Sequence, residues 1–468
     1  MAGAYQYLLV GASLFFTHLP RAGDYTPRVA IIIPAWNEAS VIGTTIEHLM
    51  RLNYPRDSFR IYVIDDASTD GTAEIVLDKA KLYGDNVQHV YRENGGQGKA
   101  HTLNHGLRHL WKSDWAQAVL IMDADVIYSA NALSKMARHL ADPEIGAVTA
   151  FIKEGSTKPN FVQRFIGFEY ITATGVSRRA QNVMGFLACL SGGAQLHTRQ
   201  NLLDMGGEIF TATLAEDTFT TFYTQLNGRR AIFEPNAVVF AEEPATLDML
   251  WKQRLRWARG NVQITFAFKH IWGRTKRFPG LGSWSMAMMW FSIFLMPIFQ
   301  IAASSSLVTL YFINARLSWA LFELFWIVAG VVYLLVTIVT LLTDIKQAKK
   351  TWAEGIMFPG LISLSIILFC LVKQEGELAD LPYFAFLGER GAMCFTLFLY
   401  LWLVLGMPCA YLARHFEKVL PTIAPLFLYV SGYGAFLCAV TFSSYIKELR
   451  GAEMKWDKTE KTGTMGTL

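Results

Sequence analysis

The sequence predicts an α/β domain on a mostly parallel sheet, followed by a bundle of transmembrane helices. Three observations predict it. Short β-branched runs alternate with helical periodicity from Val29 to Asp125. Polar clusters fall at the ends of those runs. After Pro279 the chain turns strongly apolar. Composition agrees: 17% of the residues are charged, against about 25% in a typical soluble domain. Mean hydropathy is +0.27.

The first 20 residues hold an apolar run of about a dozen, short for a span of roughly twenty. They lack a basic leading region and an A-x-A site, so they read as a short or tilted membrane segment rather than a signal peptide. "VAIIIP" from Val29 is a continuous β-branched run, as expected of a parallel strand buried on both faces. "ASVIGTTIEHLMRL" follows with helical spacing, and "FRIYVIDD" is a second strand. "AEIVLDKAKLYG" is a helix with a glycine stop. "VQHVYRE", "AHTLNHGLRHLWK" and "QAVLIMDADV" complete a strand, helix, strand series. Alternating β and α elements give an open parallel sheet with helices on both faces, and ligands bind at the carboxyl ends of its strands. Those ends carry Asn37 and Glu38, Asp65 and Asp66, and Asp123 and Asp125.

From Phe151 to His270 the pattern is less regular. "FVQRFIGFEYITATGVSRR" and "WKQRLRWARGNVQITFAFKH" are amphipathic and read as helices along a membrane surface. Five apolar stretches then qualify as spans: Ser283–Ala302, Ser318–Thr343, Gly355–Val372, Ala392–Leu412 and Pro421–Ser444. "DIKQAKK" reads as a basic cytoplasmic loop, and "KHIWGRTKR" puts the α/β domain on the same side. Five spans would leave the lysine-bearing tail outside, so one stretch is expected to be interfacial or re-entrant. A net charge of +4 is too small to argue for nucleic acid and suits basic loops beside a bilayer. The five cysteines include no C-x-x-C, which excludes a zinc site of that type and argues against a disulfide framework.

The residues that could carry chemistry are each ambiguous alone. Asp123 and Asp125 offer hard oxygens suited to Mg²⁺ or Mn²⁺, or form a solvated strand-end turn. Asp66 could accept from a base N–H and Asp70 could cap the next helix, or both belong to an ordinary turn. Lys99 follows a glycine-rich loop and could meet an anion. The loop is not a P-loop, because Glu93 stands where its first glycine belongs and Ala100 follows the lysine. Glu216 and Asp217 could hold a general base, or simply occupy the first turn of a helix. Gln253, Arg256 and Trp257 share a helix face; Arg can fork onto a diphosphate and Trp can stack on a sugar, or both anchor the helix at a membrane surface.

Order and spacing carry more than any one motif. P-A-W-N-E after a strand, D-D-x-S-x-D, G-K, D-A-D, an E-D pair and Q-x-x-R-W, all ahead of membrane spans, resemble the membrane-integrated processive family 2 glycosyltransferases. Cellulose, chitin, hyaluronan and poly-N-acetylglucosamine synthases belong there. "EPATLDMLWKQRLRWARG" and "GAVTAF" look most like the bacterial poly-N-acetylglucosamine synthases. The resemblance covers roughly Pro27 to His270.

That resemblance implies a GT-A, Rossmann-like nucleotide-sugar transferase domain over 27–245, interfacial helices over 246–280, transmembrane helices over 281–446 and a polar tail over 447–468. It implies that Asp65 and Asp66 meet the uracil of a UDP-sugar, that Asp123 lies near the ribose or diphosphate, and that Asp125, with Asp123, holds Mg²⁺ or Mn²⁺. Asp217, beside Glu216, would be the catalytic base. Gln253, Arg256 and Trp257 would close over diphosphate and acceptor, Lys99 would bind substrate, and Ser191 and Gly192 would line the acceptor side. Ala215 replaces the usual Thr before Glu216, and Ala67 the common Gly after the paired aspartates. The implied enzyme is an inverting, multi-pass synthase of the cell membrane with a cytoplasmic catalytic domain. Its partners would be a UDP-sugar, a growing polysaccharide, the bilayer and, in many relatives, a small accessory membrane subunit. UDP-N-acetylglucosamine is the leading donor. UDP-glucose, and a non-processive relative acting on a lipid acceptor, stay open.

Overall fold

The computed structural model describes residues 11, 24–372, 387–420 and 423–454. Apart from Gly11, the expected membrane segment at 1–20 lies outside the described residues, as do residues 373–386 and the tail from 455. The chain forms two compact units. The sheet unit runs to Pro244 and resumes over Gly260–Met288; the apolar unit takes Ala245–Arg259 and Met289–Ala452.

The sheet unit begins as the β-branched runs predict. Strands β1 (Val29–Ala35), β2 (Phe59–Asp65), β3 (Val87–Tyr91) and β4 (Ala118–Ile121) pair in parallel in the order β3-β2-β1-β4. Between them run α1 (Ile42–Leu49), α2 (Thr72–Tyr83) and α3 (Lys99–Leu110). The strands are buried on both faces. Val29, Ile31 and Ile33 pack with Ile42, Ile46 and Val76 on one side, while Ala30 and Ile32 pack with Leu103 and Leu107 on the other. Gly106 of α3 lets that helix touch the sheet, since a Cβ there would fall 2.8 Å from Ile64.

The second half of the sheet departs from the parallel expectation. β5 (Val126–Tyr128), β6 (Ile145–Glu154), β7 (Gln195–Thr198) and β8 (Arg230–Ala241) extend the order as β4-β7-β6-β8-β5. Here β7 runs antiparallel to both β4 and β6, and β5 antiparallel to β8. The sheet is mixed; in this half, among the described residues, β6 and β8 form the parallel pair. Short helices α4 (Ala132–Ala137), α7 (Arg199–Asp204) and the longer α8 (Glu216–Leu226) serve this half. The "FVQRFIGFEYITATGVSRR" stretch folds as α5 (Phe161–Tyr170), a π-helical turn Ile171–Val176 and α6 (Ser177–Met184). Its apolar side chains Val162, Phe165, Ile166 and Phe168 are buried, and Arg179 lies over the ring of Phe151 on β6. The sequence-based expectation of a membrane-surface helix is corrected here: that apolar face is spent on protein.

Helix α9 (Leu247–Ala267) bears the Q-x-x-R-W motif. The apolar unit then contains α10 (Trp284–Phe294), α11 (Met296–Ile313), α12 (Ala315–Thr343), α13 (Ile345–Ile356), α14 (Leu361–Val372), α15 (Gly388–Val419), α16 (Ala424–Ser431) and α17 (Tyr433–Leu449), α10 beginning just before it. Among the described residues, α11, α12 and α15 are each long and apolar enough to cross a membrane. Two of the expected stretches fall on bent pairs, each a broken span or a re-entrant loop: α13 and α14 meet at 81°, α16 and α17 at 92°. The causes are Gly360 and Gly432, both in the left-handed region at φ +87° and +92°. The two breaks touch. A Cβ on Gly360 would lie 2.5 Å from Gly432 N, and one on Gly432 would lie 2.4 Å from Pro359 O. "DIKQAKK" is no loop but the start of α13, whose first turn Asp344 caps through Gln347 N–H at 3.2 Å. Inside the unit Trp319, Phe322, Trp326 and Tyr400 form a buried aromatic cluster.

Candidate active site

At the carboxyl ends of β1 and β2 the chain makes two linked turns. Asn37 and Ala67 both take positive φ, +56° and +58°. Asn tolerates that region; Ala is strained there by roughly 1–2 kcal/mol. The common Gly that Ala67 replaces in the resembled family thus answers a backbone demand. Asp70 ties the turns together, accepting from Ala39 N–H (3.0 Å) and Thr72 N–H (3.1 Å).

Asp65 and Asp66 are buried and fully engaged. Ser68 N–H donates to Asp65 Oδ1 at 2.9 Å, and His89 Nε2 lies 3.0 Å from its Oδ2. Burial pushes the Asp65 carboxyl up, but its bonds from His89 and Ser68 outweigh that and hold it below the usual value. Asp66 pairs with Arg92 through Oδ1 and accepts from Gly96 N–H at 2.9 Å through Oδ2. Arg92 also bonds Gln97, so it organises the glycine-rich loop. Gly95 must stay bare, because a Cβ would fall 2.3 Å from Asp66 O.

The centre of the site is Lys99, at the start of α3 and 8% exposed. Its ammonium is ion-paired with Asp123, lies 3.7 Å from Glu216 Oε1 and donates to Gly192 O at 3.1 Å. Burial works against its charge, yet Asp123, Glu216 and Asp217 hold its pKa above the ordinary value. Asp217 accepts from Thr218 N–H at 2.7 Å through Oδ1. Its Oδ2 faces Gly192, where a Cβ would sit 3.3 Å from both that oxygen and Lys99 Nζ. Gly193 offers the same bare backbone beside Asp123 Oδ2, also at 3.3 Å. Residues from the turn after β4, from α3, from α8 and from the loop before β7 therefore converge on one small volume. The structure brings Lys99, Asp123, Ser191, Gly192, Glu216 and Asp217 together.

The loop before β7 is firmly held. Arg178 bonds Ser191 Oγ, Ser191 N–H donates to Thr149 Oγ1 (3.0 Å), and Tyr128 donates to Gly193 O (3.2 Å). Burial lowers the Arg178 pKa, opposed by the charge of Asp217. The segment before Glu216 rests on α9: Gln263 Oε1 accepts from Leu214 N–H (2.9 Å) and Thr213 Oγ1 (3.1 Å). A Cβ at Gly260 would meet that of Ala215 at 2.5 Å, so Gly260 lets α9 lie close against this segment. Arg92, Arg178 and Gln263 escaped the sequence reading; only Arg92, next to "ENGGQGK", had a signal in its neighbourhood.

Asp125 is 8% exposed, two residues beyond the half-exposed Asp123. Among the described residues no three His, Cys, Asp or Glu side chains form a metal-holding group. Two carboxylates suit Mg²⁺ or Mn²⁺, which keep waters and complete their shell from substrate phosphates. Asp123 already engages one cation, the Lys99 ammonium, beside backbone free of Cβ atoms. Hard carboxylate oxygens beside bare backbone are the donor chemistry such an ion takes.

Gln253, Arg256 and Trp257 belong to the apolar unit's part of α9. Arg254, also missed, joins two of them: it donates to Gln253 Oε1 at 2.8 Å and stacks 4.0 Å over the Trp257 ring.

Known proteins match this arrangement. A family profile described as glycosyltransferase like family 2 covers residues 27–260, half of the chain. The probable glycosyltransferase YdaM of Bacillus subtilis is 28% identical over 333 residues, covering 69% of this chain and 76% of that protein. The poly-beta-1,6-N-acetyl-D-glucosamine synthase of Staphylococcus aureus is 30% identical over 257 residues, covering 55% of this chain and 60% of the synthase. Among solved structures, the mannosyltransferase PcManGT from Pyrobaculum calidifontis, in complex with GDP-Man and Mn²⁺, superposes with a TM-score of 0.54 at 24% identity, over 80% of this chain and 94% of that one. Its likeness concerns the fold, a GT-A sheet domain. With the acidic cluster on the strand ends and the profile spanning it, the chain belongs to the family 2 glycosyltransferases.

Proposed function

We propose that the protein is a processive, inverting synthase that polymerises a UDP-sugar, UDP-N-acetylglucosamine foremost, into a β-linked polysaccharide and passes it across the membrane. The sheet unit faces the cytoplasm in this reading, as the basic flanks of the apolar helices favour. The observation that carries the transfer chemistry is the single cluster of Lys99, Asp123, Glu216 and Asp217 around the bare Gly192 backbone. The donor preference is supported by the likeness to the staphylococcal synthase.

Asp217 accepts the proton of the acceptor hydroxyl as that oxygen attacks the anomeric carbon. The bond from that carbon to the diphosphate breaks, and UDP leaves with the electron pair. Lys99 and Arg256 offset the negative charge on the departing diphosphate. Asp125 and Asp123 would hold Mg²⁺ or Mn²⁺, which when bound supplies further charge stabilisation of the diphosphate. Asp65 and Asp66, with Arg92, form the base side. Ser191 and Gly192 line the acceptor side, and Gln253 and Trp257 meet acceptor and diphosphate.

The test is UDP release by the full chain in nanodiscs. UDP-N-acetylglucosamine, UDP-glucose, UDP-glucuronic acid and UDP-galactose are offered singly with Mg²⁺ or Mn²⁺, beside Asp217→Asn. Metal-dependent release with UDP-N-acetylglucosamine, lost in the variant and yielding a ladder of long products, is expected. Full turnover by Asp217→Asn would overturn the mechanism. Release from UDP-glucose would make the enzyme a glucan synthase, and single-sugar products would assign a lipid acceptor.

A further inference from the structure

Helix α9 carries Gln253, Arg256 and Trp257, and the way its start is held sets it apart. The backbone N–H groups of Leu247, Asp248 and Met249 have no partners within the helix. Thr246 Oγ1 takes one, from Met249 N–H at 3.2 Å. The other two go to one side chain from the far end of α15. Leu247 N–H donates to Glu417 Oε1 at 2.9 Å, and Asp248 N–H to Glu417 Oε2 at 3.3 Å. A carboxylate at this end also complements the helix dipole.

The neighbouring contacts point the same way. Asp248 pairs with Arg414 (3.2 Å), one turn before Glu417, and Lys418 approaches it at 3.9 Å. Trp251 stands edge-on to Tyr411, ring centres 5.1 Å apart, and to Phe436 of α17 at 5.6 Å. Further along, Arg259 pairs with Glu448 and donates to Ala452 O at 2.6 Å. A helix that needed only a cap could take it from residues beside its own first turn, as Thr246 shows. A bidentate cap from a helix 170 positions away also fixes rotation and axial register.

We propose that Glu417 is a positioning residue for sugar transfer. By bonding Leu247 and Asp248 it sets the rotation and register of α9 on α15, and through them the presentation of Gln253, Arg256 and Trp257. This rests on the role given above to those three residues.

The experiment uses the full chain in nanodiscs, with UDP release, product length and thermal unfolding measured together. Glu417→Ala is expected to lower kcat about tenfold while donor KM stays within about threefold, the signature of a displaced group rather than a lost donor contact. Glu417→Gln, which keeps one acceptor oxygen, should recover part of that loss. The decisive variant is Thr246→Asp combined with Glu417→Ala. Aspartate at the cap supplies a local carboxylate, so it should restore thermal stability and leave kcat low. Recovery of kcat in that double variant would show that Glu417 only caps, and would overturn the proposal. So would Glu417→Ala turning over within about twofold of the parent while Arg256→Ala is inactive. Wild-type turnover by Arg256→Ala would instead overturn the reading of the Q-x-x-R-W motif itself. Should Glu417→Ala fail to fold, Glu417→Gln and the double variant decide.

Discussion

The two units spend apolar residues in opposite ways. In the sheet unit Val29, Ile31, Ile61, Val63 and Leu120 are wholly buried, and charged side chains such as Asp65, Asp66 and Lys99 are buried only in pairs or with hydrogen bonds. In the apolar unit Phe312, Ile313, Val331, Leu334 and Leu342 lie on the outside, each more than half exposed. A protein in water does not leave such a surface open. The contrast teaches that one chain is built for two solvents: its chemistry sits where water-side rules force charges into pairs, and its outward apolar helices suit lipid.

The sharpest way to test that division is to remove chemistry without touching the apolar unit. Asp217→Asn should cut UDP release about a thousandfold, within the range for a lost general base, while thermal unfolding in detergent stays near the parent's. A matching loss of fold would break the division.

The converse change falls on the apolar unit. Gly432→Ala adds a Cβ against Pro359 O and demands a left-handed conformation of Ala. It should cost about 3 kcal/mol of stability, from overpacking plus backbone strain. Tryptophan-monitored thermal unfolding would measure it.

A smaller effect is expected at Asp65. Its carboxyl is held below its ordinary value of 3.8, so its stabilising contribution is present above that pH and fades as pH falls through the lower folded value. Asp65→Asn should therefore lose about 1–2 kcal/mol at pH 7, with the gap to the parent closing below about pH 4. Denaturant titrations of both proteins across that range would show it. The smallest change is a gain: Ala67→Gly relieves a positive φ and should add about 1 kcal/mol, read as a raised unfolding temperature.

Much of the first half was legible because each signal was local. β1 is a continuous β-branched run, β2 and β3 are short runs set between helical stretches, and the helices between the strands end near the glycine or charge changes that the sequence shows. The carboxylates of the site could be picked by their position after strands. What escaped depends on partners distant in sequence. β7 is only four residues long and lies antiparallel between β4 and β6, which no pattern in "QLHT" announces. Arg178 reaches Ser191 across thirteen positions, and Gln263 reaches Leu214 across forty-nine. Charge asymmetry pointed to one re-entrant stretch but not to where the chain bends, because hydropathy counts Gly360 and Gly432 as tolerable residues while backbone geometry makes them corners. The basic "DIKQAKK" misled in the same manner: its charges are those of a loop, but Asp344 starts a helix there.

The meeting of those two corners limits how the apolar unit can vary. At Gly360 and Gly432 backbone lies against backbone, with no side chain between to absorb a mismatch. A residue inserted into α14 or α17 just beyond its corner would leave the contact intact and turn the rest of that helix by about 100°. A residue inserted at either corner would separate the glycines and force both pairs to be rebuilt. Composition can therefore drift along the outward faces of these helices, whereas spacing at the corners must change in both pairs together or not at all.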